Sequence, residues 1–428
     1  MASAQRAVAA SANPQHMLGV LCGLAAGAWL GAAEAPTKLV TAGFSPFAIS
    51  LCMVAGVFTA RWTFPTLMKG TGFVFSDIAS KPHLIIWALL AGALWAVANT
   101  LTVFAIRDVG LATAFPLWNA NSLIGLLWGW LLFREMRGSG ARTAAKVLLG
   151  TLAIIAAAIM LGFSTLHDGG ASPHAARGLA AAAGASLMWG TMYVPYRKAY
   201  ISGMNPLSFV TVFTIGELAA MFTLVLALDG GTKAAVFHSP ETRHLLFWLF
   251  LGGFVWVIGD LFQQYATKYL GIGRGIPLSN TNQMWGLAWG ALVFGELAHA
   301  DASHRMLVVA GSVVMILGAL AVSTAVATER EQFSMREALV RECARYDLDY
   351  DRASQAYYGT TKGLGNEGRA WWDYLILVGA LGVFIWLGVD AQIPTLAMNF
   401  TWVSILVAIL IASAIGGAWA LWRATRFS

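Results

Sequence analysis

Two stretches of the chain carry amide side chains inside long apolar runs. One is FPLWNANSLIGLLWGWLLFRE, from Phe115 to Glu135; the other is IPLSNTNQMWGLAWGALVFGE, from Ile276 to Glu296. Each is long enough to cross a bilayer as a helix, which takes roughly 20 apolar residues. Each nevertheless holds two asparagines, Asn119 and Asn121 in the first, Asn280 and Asn282 in the second. A bare amide in an apolar surrounding costs several kcal/mol, so all four must face protein or water. On a regular helix a spacing of three puts Asn119 with Ser122, and Asn280 with Gln283, on one face, while Asn121 and Asn282 point toward the faces of Gly125 and Gly286. Two arrangements satisfy this. Either Asn119, Ser122, Asn280 and Gln283 line a polar cavity while Asn121 and Asn282 bridge helices, or all of them make interhelical bonds, worth on average about 0.6 kcal/mol each in membranes.

A second pattern mixes aromatic and polar groups. Trp95 and Asn99 stand one helical turn apart, as do Trp256, Asp260 and Gln264. An indole that stacks on the C–H face of a sugar ring, beside amides that bond its hydroxyls, would make a sugar site. With 18 tryptophans in the chain, many must serve as interfacial anchors, and Trp87 and Trp248, near the ends of their runs, fit that use. Among the acids, Asp260 and Glu34 are the candidates for proton coupling, since carboxyl groups within a membrane are costly when charged and usually functional. Glu34 has an alternative partner in Lys38, one turn on. Glu135 and Glu296, at the ends of their runs, suit capping of a neighbouring helix or contact with water better than contact with a solute.

The elements that hold these residues follow from composition. The chain has 428 residues, 58% hydrophobic and 11% charged, against about 25% charged in a soluble domain; its mean hydropathy is +0.67. This is an all-α polytopic membrane protein, because the apolar runs are continuous rather than alternating as in a β-barrel. The net charge of +6 does not point to nucleic acid, since the basic residues sit in short loops. Cys22, Cys52 and Cys343 show no paired spacing and no metal motif, and no cofactor is implied. Arg6, the apolar run from Met17 and the small residues at 31–35 could pass for a cleaved leader, but this segment has a twin in mid-chain, which argues against cleavage. Twelve spans are expected, at 17–38, 45–64, 83–106, 110–133, 145–164, 178–197, 206–228, 244–267, 272–295, 305–327, 371–389 and 399–422. Lys and Arg concentrate at the N-terminus and in the loops after even-numbered spans, so both termini are expected in the cytoplasm, and the membrane is expected to be the plasma (bacterial inner) membrane.

The spans repeat. Residues 83–135 align without gaps on 244–296, and 19 of the 53 pairs are identical; they include Trp95/Trp256, Pro116/Pro277, Asn119/Asn280, Asn121/Asn282 and Glu135/Glu296. Chance apolar similarity would not keep Asn, Pro, Trp and Glu in register. The first two spans match as well, through Gly31/Gly190, Pro36/Pro195, Gly43/Gly203, Pro46/Pro206 and Gly56/Gly216. Five spans is an odd number, so the second copy must enter the membrane from the opposite side. Such inverted repeats are a feature of secondary transporters that bind their solute between the halves. The expected units are 1–164 and 165–328, two inverted five-helix repeats; 329–370, a charged cytoplasmic segment; and 371–428, a C-terminal two-helix hairpin. Asp347, Asp349 and Asp351 echo the start of a calcium loop, but Arg352 and Tyr358 stand where that loop needs Gly and Glu, so solvated charge is the expectation. Small residues at four-residue spacing, Ala412/Gly416 and Ser413/Gly417, suit close packing on the bundle, with a homodimer contact through the hairpin as the alternative.

With this repeat, the chain resembles the drug/metabolite transporter superfamily. The carrying motifs are G-x-x-x-x-P at the ends of spans one and six (Gly31–Pro36, Gly190–Pro195) and G-x-L-x-F-x-E at the ends of spans four and nine (Gly129–Glu135, Gly290–Glu296). WGTMYVPYRKAY at 189–200 is most similar to the glucose/ribose porter and rhamnose–proton symporter branch. The resemblance covers roughly residues 15–328 and implies ten helices in two inverted halves; the family pattern lacks 329–428. Span one departs from its twin, with Glu34 where the second copy has Tyr193, and Tyr193 joins the solute-binding candidates. Glycines at 19, 23, 27 and 31, answered by Gly178, Ala182, Ser186 and Gly190, make smooth helix faces for tight packing. Pro36 and Pro195 break helix hydrogen bonding near span ends, as kinks or as hinges.

The leading expectation is a secondary transporter of a small polar solute, a sugar before others, working by alternating access in the lipid bilayer with protons as the driving ion. An exporter of amino acids or drugs is the rival within the superfamily. An intramembrane enzyme is disfavoured, since neither H-E-x-x-H nor G-x-S-x-G occurs, and a receptor or scaffold signalling through 328–370 has little support from so short a segment.

Overall fold

Ser45 and Asn205 start two helices in the same way. Each has extended backbone, and its side-chain oxygen accepts from a main-chain N–H, Ala48 at 3.1 Å and Leu207 at 2.9 Å. A proline comes next, in the first helical position, where its missing N–H costs nothing. Equivalent positions of the repeat thus build equivalent helix ends.

The computed structural model describes residues 2–37, 44–109, 114, 117–163, 174–229, 244–295, 297, 301–358, 369–392 and 398–427; of residues 2–14, Glu34 and Thr37 only the backbone is described. Lys38, Gly43, Pro116, Glu296 and the side chain of Glu34 therefore lie outside the description, as do the boundary at 164/165 and residues 359–368 of the charged segment. The regular structure among the described residues is all helix. In chain order the helices are α1 (Ala2–Ala32), α2 (Glu34–Thr37), α3 (Pro46–Met68), α4 (Thr71–Ser80), α5 (Ile85–Val109), α6 (Asn121–Leu132), α7 (Ala141–Phe163), α8 (Ala175–Ile201), α9 (Pro206–Leu228), α10 (Leu246–Leu270), α11 (Ile272–Ser279), α12 (Asn282–Ala288), α13 (Ala302–Ser323), α14 (Glu329–Tyr346), α15 (Tyr350–Tyr358), α16 (Trp371–Val389) and α17 (Phe400–Thr425). A π-helical turn, Trp289–Val293, continues α12.

Nine helices among the described residues are long and apolar enough to cross a membrane, which makes this an integral membrane protein. The other three expected spans differ from them in informative ways. Helix α8 is continuous, and it runs through Pro195 to Ile201, but its sequence is too polar to qualify. The fourth and ninth expected spans are broken. At both breaks the hydrogen bonding tightens to a spacing of three: Ala120 N to Leu117 O and Leu123 N to Ala120 O in one, Thr281 N to Leu278 O and Met284 N to Thr281 O in the other. Pro277, within α11, supplies a cause, because it has no N–H for the preceding turn. Pro36 lies in the short helix α2, beyond a turn at Ala33, so the two prolines expected to act alike sit in different backbones.

Glycines set the crossings. A Cβ at Gly56 would come within 2.0 Å of the carbonyl oxygen of Phe250, and one at Gly253 within 2.0 Å of that of Met53, where α3 crosses α10. The twins do the same where α9 crosses α5, Gly216 against Leu89 O at 2.2 Å and Gly92 against Phe213 O at 2.1 Å. Helix α1 packs along α10, α11 and α12, and α8 packs along α5 and α6. The α3–α10 crossing is thus matched by α9–α5, and the packing of α1 on α10 and α12 by that of α8 on α5 and α6.

The last two spans bury only 11% of their apolar windows, against 67% for Gln15–Ala32, so they flank the bundle. Their adjacency in the sequence predicts a hairpin. Among the described residues each packs on the bundle, α16 chiefly on α3 and α17 chiefly on α1. Ser413 accepts from Trp29 Nε1 at 3.1 Å, and a Cβ at Gly417 would meet the Phe262 ring at 2.5 Å; these contacts seat α17 on the bundle. Helices α14 and α15 lie across one end of the bundle. Tyr346 stacks on His83 with ring centroids 3.9 Å apart, and Ala353 meets Gly203.

Candidate functional site

The two breaks meet. The two hydrogens of the Asn280 side-chain amide are shared among three acceptors, the carbonyl of Asn119 at 3.1 Å, Asn121 Oδ1 at 2.9 Å and Ser122 Oγ at 2.6 Å. Helix α1 backs one break and α8 the other. A Cβ at Gly31 would touch Asn282 O at 2.5 Å, and one at its twin Gly190 would approach Asn121 O at 3.0 Å. The small-residue faces of α1 and α8 thus let two irregular backbone segments be packed from behind.

In front of the breaks is a cavity of about 230 Å³, below the roughly 300–1,000 Å³ of drug-sized ligand sites and suited to a small solute. Asn119, Asn121, Asn280 and Asn282 all border it, with Asn99, Thr102 and Gln263 from α5 and α10. Several of its buried polar atoms have no hydrogen-bond partner among the described residues: Asn99 Nδ2, Asn119 Nδ2, Gln263 Oε1, Asn282 Oδ1 and the indole N–H of Trp189. Buried amides are normally satisfied, so this wall has donors and acceptors to offer a guest. Trp189 and Trp256 supply the aromatic side of the cavity, with Tyr193 beside them; the two indoles meet edge to face, centroids 6.1 Å apart.

Of the expected binding residues, Asn99, Asn119, Tyr193, Trp256 and Asn280 border this cavity, and the other four do not. Trp95 packs behind Trp256 at 5.0 Å. Ser122 is bonded to Asn280. Gln264 donates to Asp260 Oδ1 at 2.8 Å and accepts from the Tyr200 hydroxyl. Gln283 lies past the break in α12, and Asn282 takes the place on the cavity wall expected of it. The reason is the break itself. A three-residue turn shifts the facing of the residues beyond it, so both asparagines of each pair reach one cavity, and Asn121 and Asn282 are not confined to bridging helices.

Behind Trp256 lies a charged group that sequence reasoning finds only in part. Arg61 Nη2 is 2.6 Å from Asp260 Oδ2, Arg61 Nη1 is 3.4 Å from Glu217 Oε2, and all three side chains are fully buried. The guanidinium stands 3.9 Å from the Phe213 ring centre and 5.4 Å from that of Trp256. The sequence reading singles out Asp260 and misses Arg61 and Glu217, which also sit within apolar runs. A charged residue in such a run is the available signal.

Toward the end covered by α14, Glu135 accepts from the N–H groups of Ile272 at 3.1 Å and Gly273 at 3.0 Å and pairs with Arg197 at 2.9 Å. It caps α11, as its position at a span end suggests. Gly271, at φ +84°, lets the carboxylate approach, since a Cβ there would lie 2.8 Å from it. Arg274 and Glu331 form a buried two-bond pair at 2.6 and 2.8 Å, and Glu342 pairs with Lys198 and accepts from Ser202. The charged segment is therefore tied to α11 by a buried ion pair and to α8 by a partly buried one, not merely solvated. Asp349 accepts from Arg352 N at 3.0 Å at the start of α15.

Comparison with known proteins gives these features a setting. The model of the sugar transport protein family matches residues 62–205, and that of the EamA-like transporter family matches residues 176–324. A putative sugar uptake protein of Listeria innocua is 23% identical over 256 residues, 59% of this chain and 83% of that protein. The glucose uptake protein GlcU of Staphylococcus xylosus is 23% identical over 261 residues, 60% of this chain and 85% of that one. A solved crystal structure, 15% identical with a TM-score of 0.50, covers 72% of this chain and 96% of its own, a likeness of fold alone. With transporter families matching both halves of the repeat, the resemblance to the drug/metabolite transporter superfamily, on the side of its sugar-uptake members, is borne out.

Proposed function

We propose that this protein is a secondary active transporter that takes up a sugar by alternating access, driven by protons, across the plasma (bacterial inner) membrane with both termini in the cytoplasm. The observation that carries the proposal is the cavity: two indoles on one side, and on the other a wall of buried amides, several of whose hydrogen-bonding groups have no partner among the described residues. A pyranose has the complementary faces, apolar C–H on one and hydroxyls around its edge. The relatives named for sugar and glucose uptake support the same cargo.

In this reading residues 1–164 and 165–328 are two inverted halves. The matched contacts of their helices and glycines support it, as do the paired breaks, since transporters of this design bind solutes at discontinuous helices. Asn99, Asn119, Tyr193, Trp256 and Asn280 contact the sugar directly; Trp95, Ser122, Gln264 and Gln283 act from behind them. Pro36 and Pro195 are hinges for the rocking of α1 and α8. Proton coupling lies in the buried group that contains Asp260, with Glu34 as a second candidate acid. Residues 329–370 form a cytoplasmic segment, and α16 and α17 offer a lipid-facing surface for a second copy.

The test is uptake of labelled glucose into proteoliposomes. Saturable entry that is concentrated by an inward proton gradient is expected. Absence of uptake of any sugar, with export of amino acids or amines by the same vesicles, would refute the reading.

A further inference from the structure

The buried group behind Trp256 holds two carboxylates and one guanidinium. If all three were ionised, one negative charge would be left over with no exposure to water, at a cost no protein interior bears lightly. The two acids are not held alike. Both oxygens of Asp260 have donors, Arg61 Nη2 at 2.6 Å and Gln264 Nε2 at 2.8 Å. Glu217 has one oxygen 3.4 Å from Arg61 Nη1, and its Oε1 is fully buried with no partner among the described residues.

We propose that Glu217 is the site where this carrier binds and releases its proton, with Arg61 and Asp260 as the ion pair beside it. This rests on the reading of the protein as a proton-driven sugar carrier. Asp260, bonded at both oxygens, is the anion that balances Arg61, and Glu217 carries the proton. A neutral carboxyl loses less than an anion does by lacking a partner.

The groups around Glu217 leave little else to titrate. Helix α3 presents Arg61, α10 presents Asp260, and α8 presents the phenols of Tyr193, Tyr196 and Tyr200 to the same group. Helix α5 offers backbone at this point, for Gly92 lies against Glu217 N. The charged residues at the end of α5, Arg107 and Asp108, are paired with each other, and Asp108 also with Arg177. Asp77 of α4 is paired with Lys81.

The link to the sugar runs through one ring. Trp256 borders the cavity, and Arg61 lies over its indole. A sugar seated on Trp256 holds the guanidinium against Asp260, and Glu217 stays protonated. When the sugar leaves, the guanidinium shifts toward Glu217. The O–H bond of Glu217 then breaks, its proton passes to water on the open side, and Arg61, which stays protonated throughout, takes up the new carboxylate. Proton and sugar thus travel together.

The experiment uses the full-length protein and two readouts. Infrared spectra should show a protonated-carboxyl C=O band that moves on carbon-13 labelling of glutamate, disappears in Glu217→Gln and returns in Glu217→Asp. In proteoliposomes, Glu217→Gln should lose accumulation of glucose above equilibrium under an inward proton gradient, and Glu217→Asp should recover part of it. A band that survives in Glu217→Gln, or accumulation by that variant equal to the wild type, would overturn the proposal. The spectra need no cargo. A wild type that has the Glu217 band yet moves no sugar would therefore count against the transport reading and leave the proton site standing.

Discussion

The side-chain amide of Asn280 lies 2.9 Å from Oδ1 of Asn121 and donates to it, so the helix break in one half of the chain is tied to the break in the other. The same nitrogen also reaches Asn119 O and Ser122 Oγ. The two amide hydrogens are shared among these three acceptors, and Asn280→Ala removes both. At about 0.6 kcal/mol for an average bond between membrane helices, the loss in stability should be on the order of 1 kcal/mol, small enough for the protein to fold. Glucose affinity should fall much further, because the same residue borders the cavity. Thermal denaturation beside equilibrium sugar binding separates the two effects; an equal loss in both would mean that Asn280 serves the fold alone.

Asp260→Asn should act differently. It leaves Arg61 with Glu217 as its sole acid, and breaking a buried pair from one side typically costs about 3–5 kcal/mol. The guanidinium then holds Glu217 as its counter-ion, whether or not a sugar is bound. Gradient-driven accumulation of glucose should be lost while downhill exchange continues. Uptake assays under both regimes check this, and accumulation equal to the wild type would remove the buried ions from the coupling step.

The glycine faces can be tested against an internal control. A Cβ at Gly27 would lie 2.2 Å from Thr281 Oγ1 and 3.3 Å from Asn282 N, at the break behind the cavity. Gly27→Ala should push α1 away from that break, at a cost of about 1–3 kcal/mol for overpacking, and should weaken sugar binding. Gly416, on α17, has nothing within 4 Å of its would-be Cβ. Gly416→Ala should leave both the melting temperature and binding unchanged; a drop in melting temperature that depends on protein concentration would instead reveal a partner on this face.

The same residues mark how far the sequence can be read. The repeat announces itself through Trp, Asn, Pro and Glu held at one offset, and the helices and their matched crossings accord with it. The asparagines stand out for the same reason, but a regular helix is the wrong frame for them. A turn of i→i+3 bonds cannot be seen in a facing count, and it is this turn that brings Asn282 to the cavity in place of Gln283. Trp189 escapes notice because its twin is Leu30, so duplication does not point to it. Arg61 and Glu217 have Met221 and Val57 as twins, and the ion group draws on three helices, α3, α9 and α10, that only the folded bundle brings together. The last two spans suggest a hairpin because they are neighbours in the chain. In the fold both also lean on the bundle, α17 through Trp29 of α1 and Phe262 of α10, α16 through Phe384 on Phe250 and Phe254 of α10.

The charged segment is held by an ion pair that can be tested directly. Thr328 caps α14, and three residues on, Glu331 makes its buried two-bond pair with Arg274 of α11. Paired Arg and carboxylate forks of this kind are among the stronger polar contacts, yet both ions had to leave water to form one. Glu331→Gln keeps the shape and removes the charge, so Arg274 is left buried without its counter-ion. The protein should lose about 3–5 kcal/mol, and hydrogen exchange should quicken along Glu329–Tyr346 and Ile272–Ser279 while α5 and α10 stay protected. Replacing both partners by methionine, Arg274→Met with Glu331→Met, removes the unpaired charge and should restore most of the stability, as apolar replacement of buried pairs can. If the single change loosens neither helix, α14 is held to the bundle by its other contacts, Glu342 with Lys198 and Tyr346 on His83, and the Arg274 pair contributes nothing measurable.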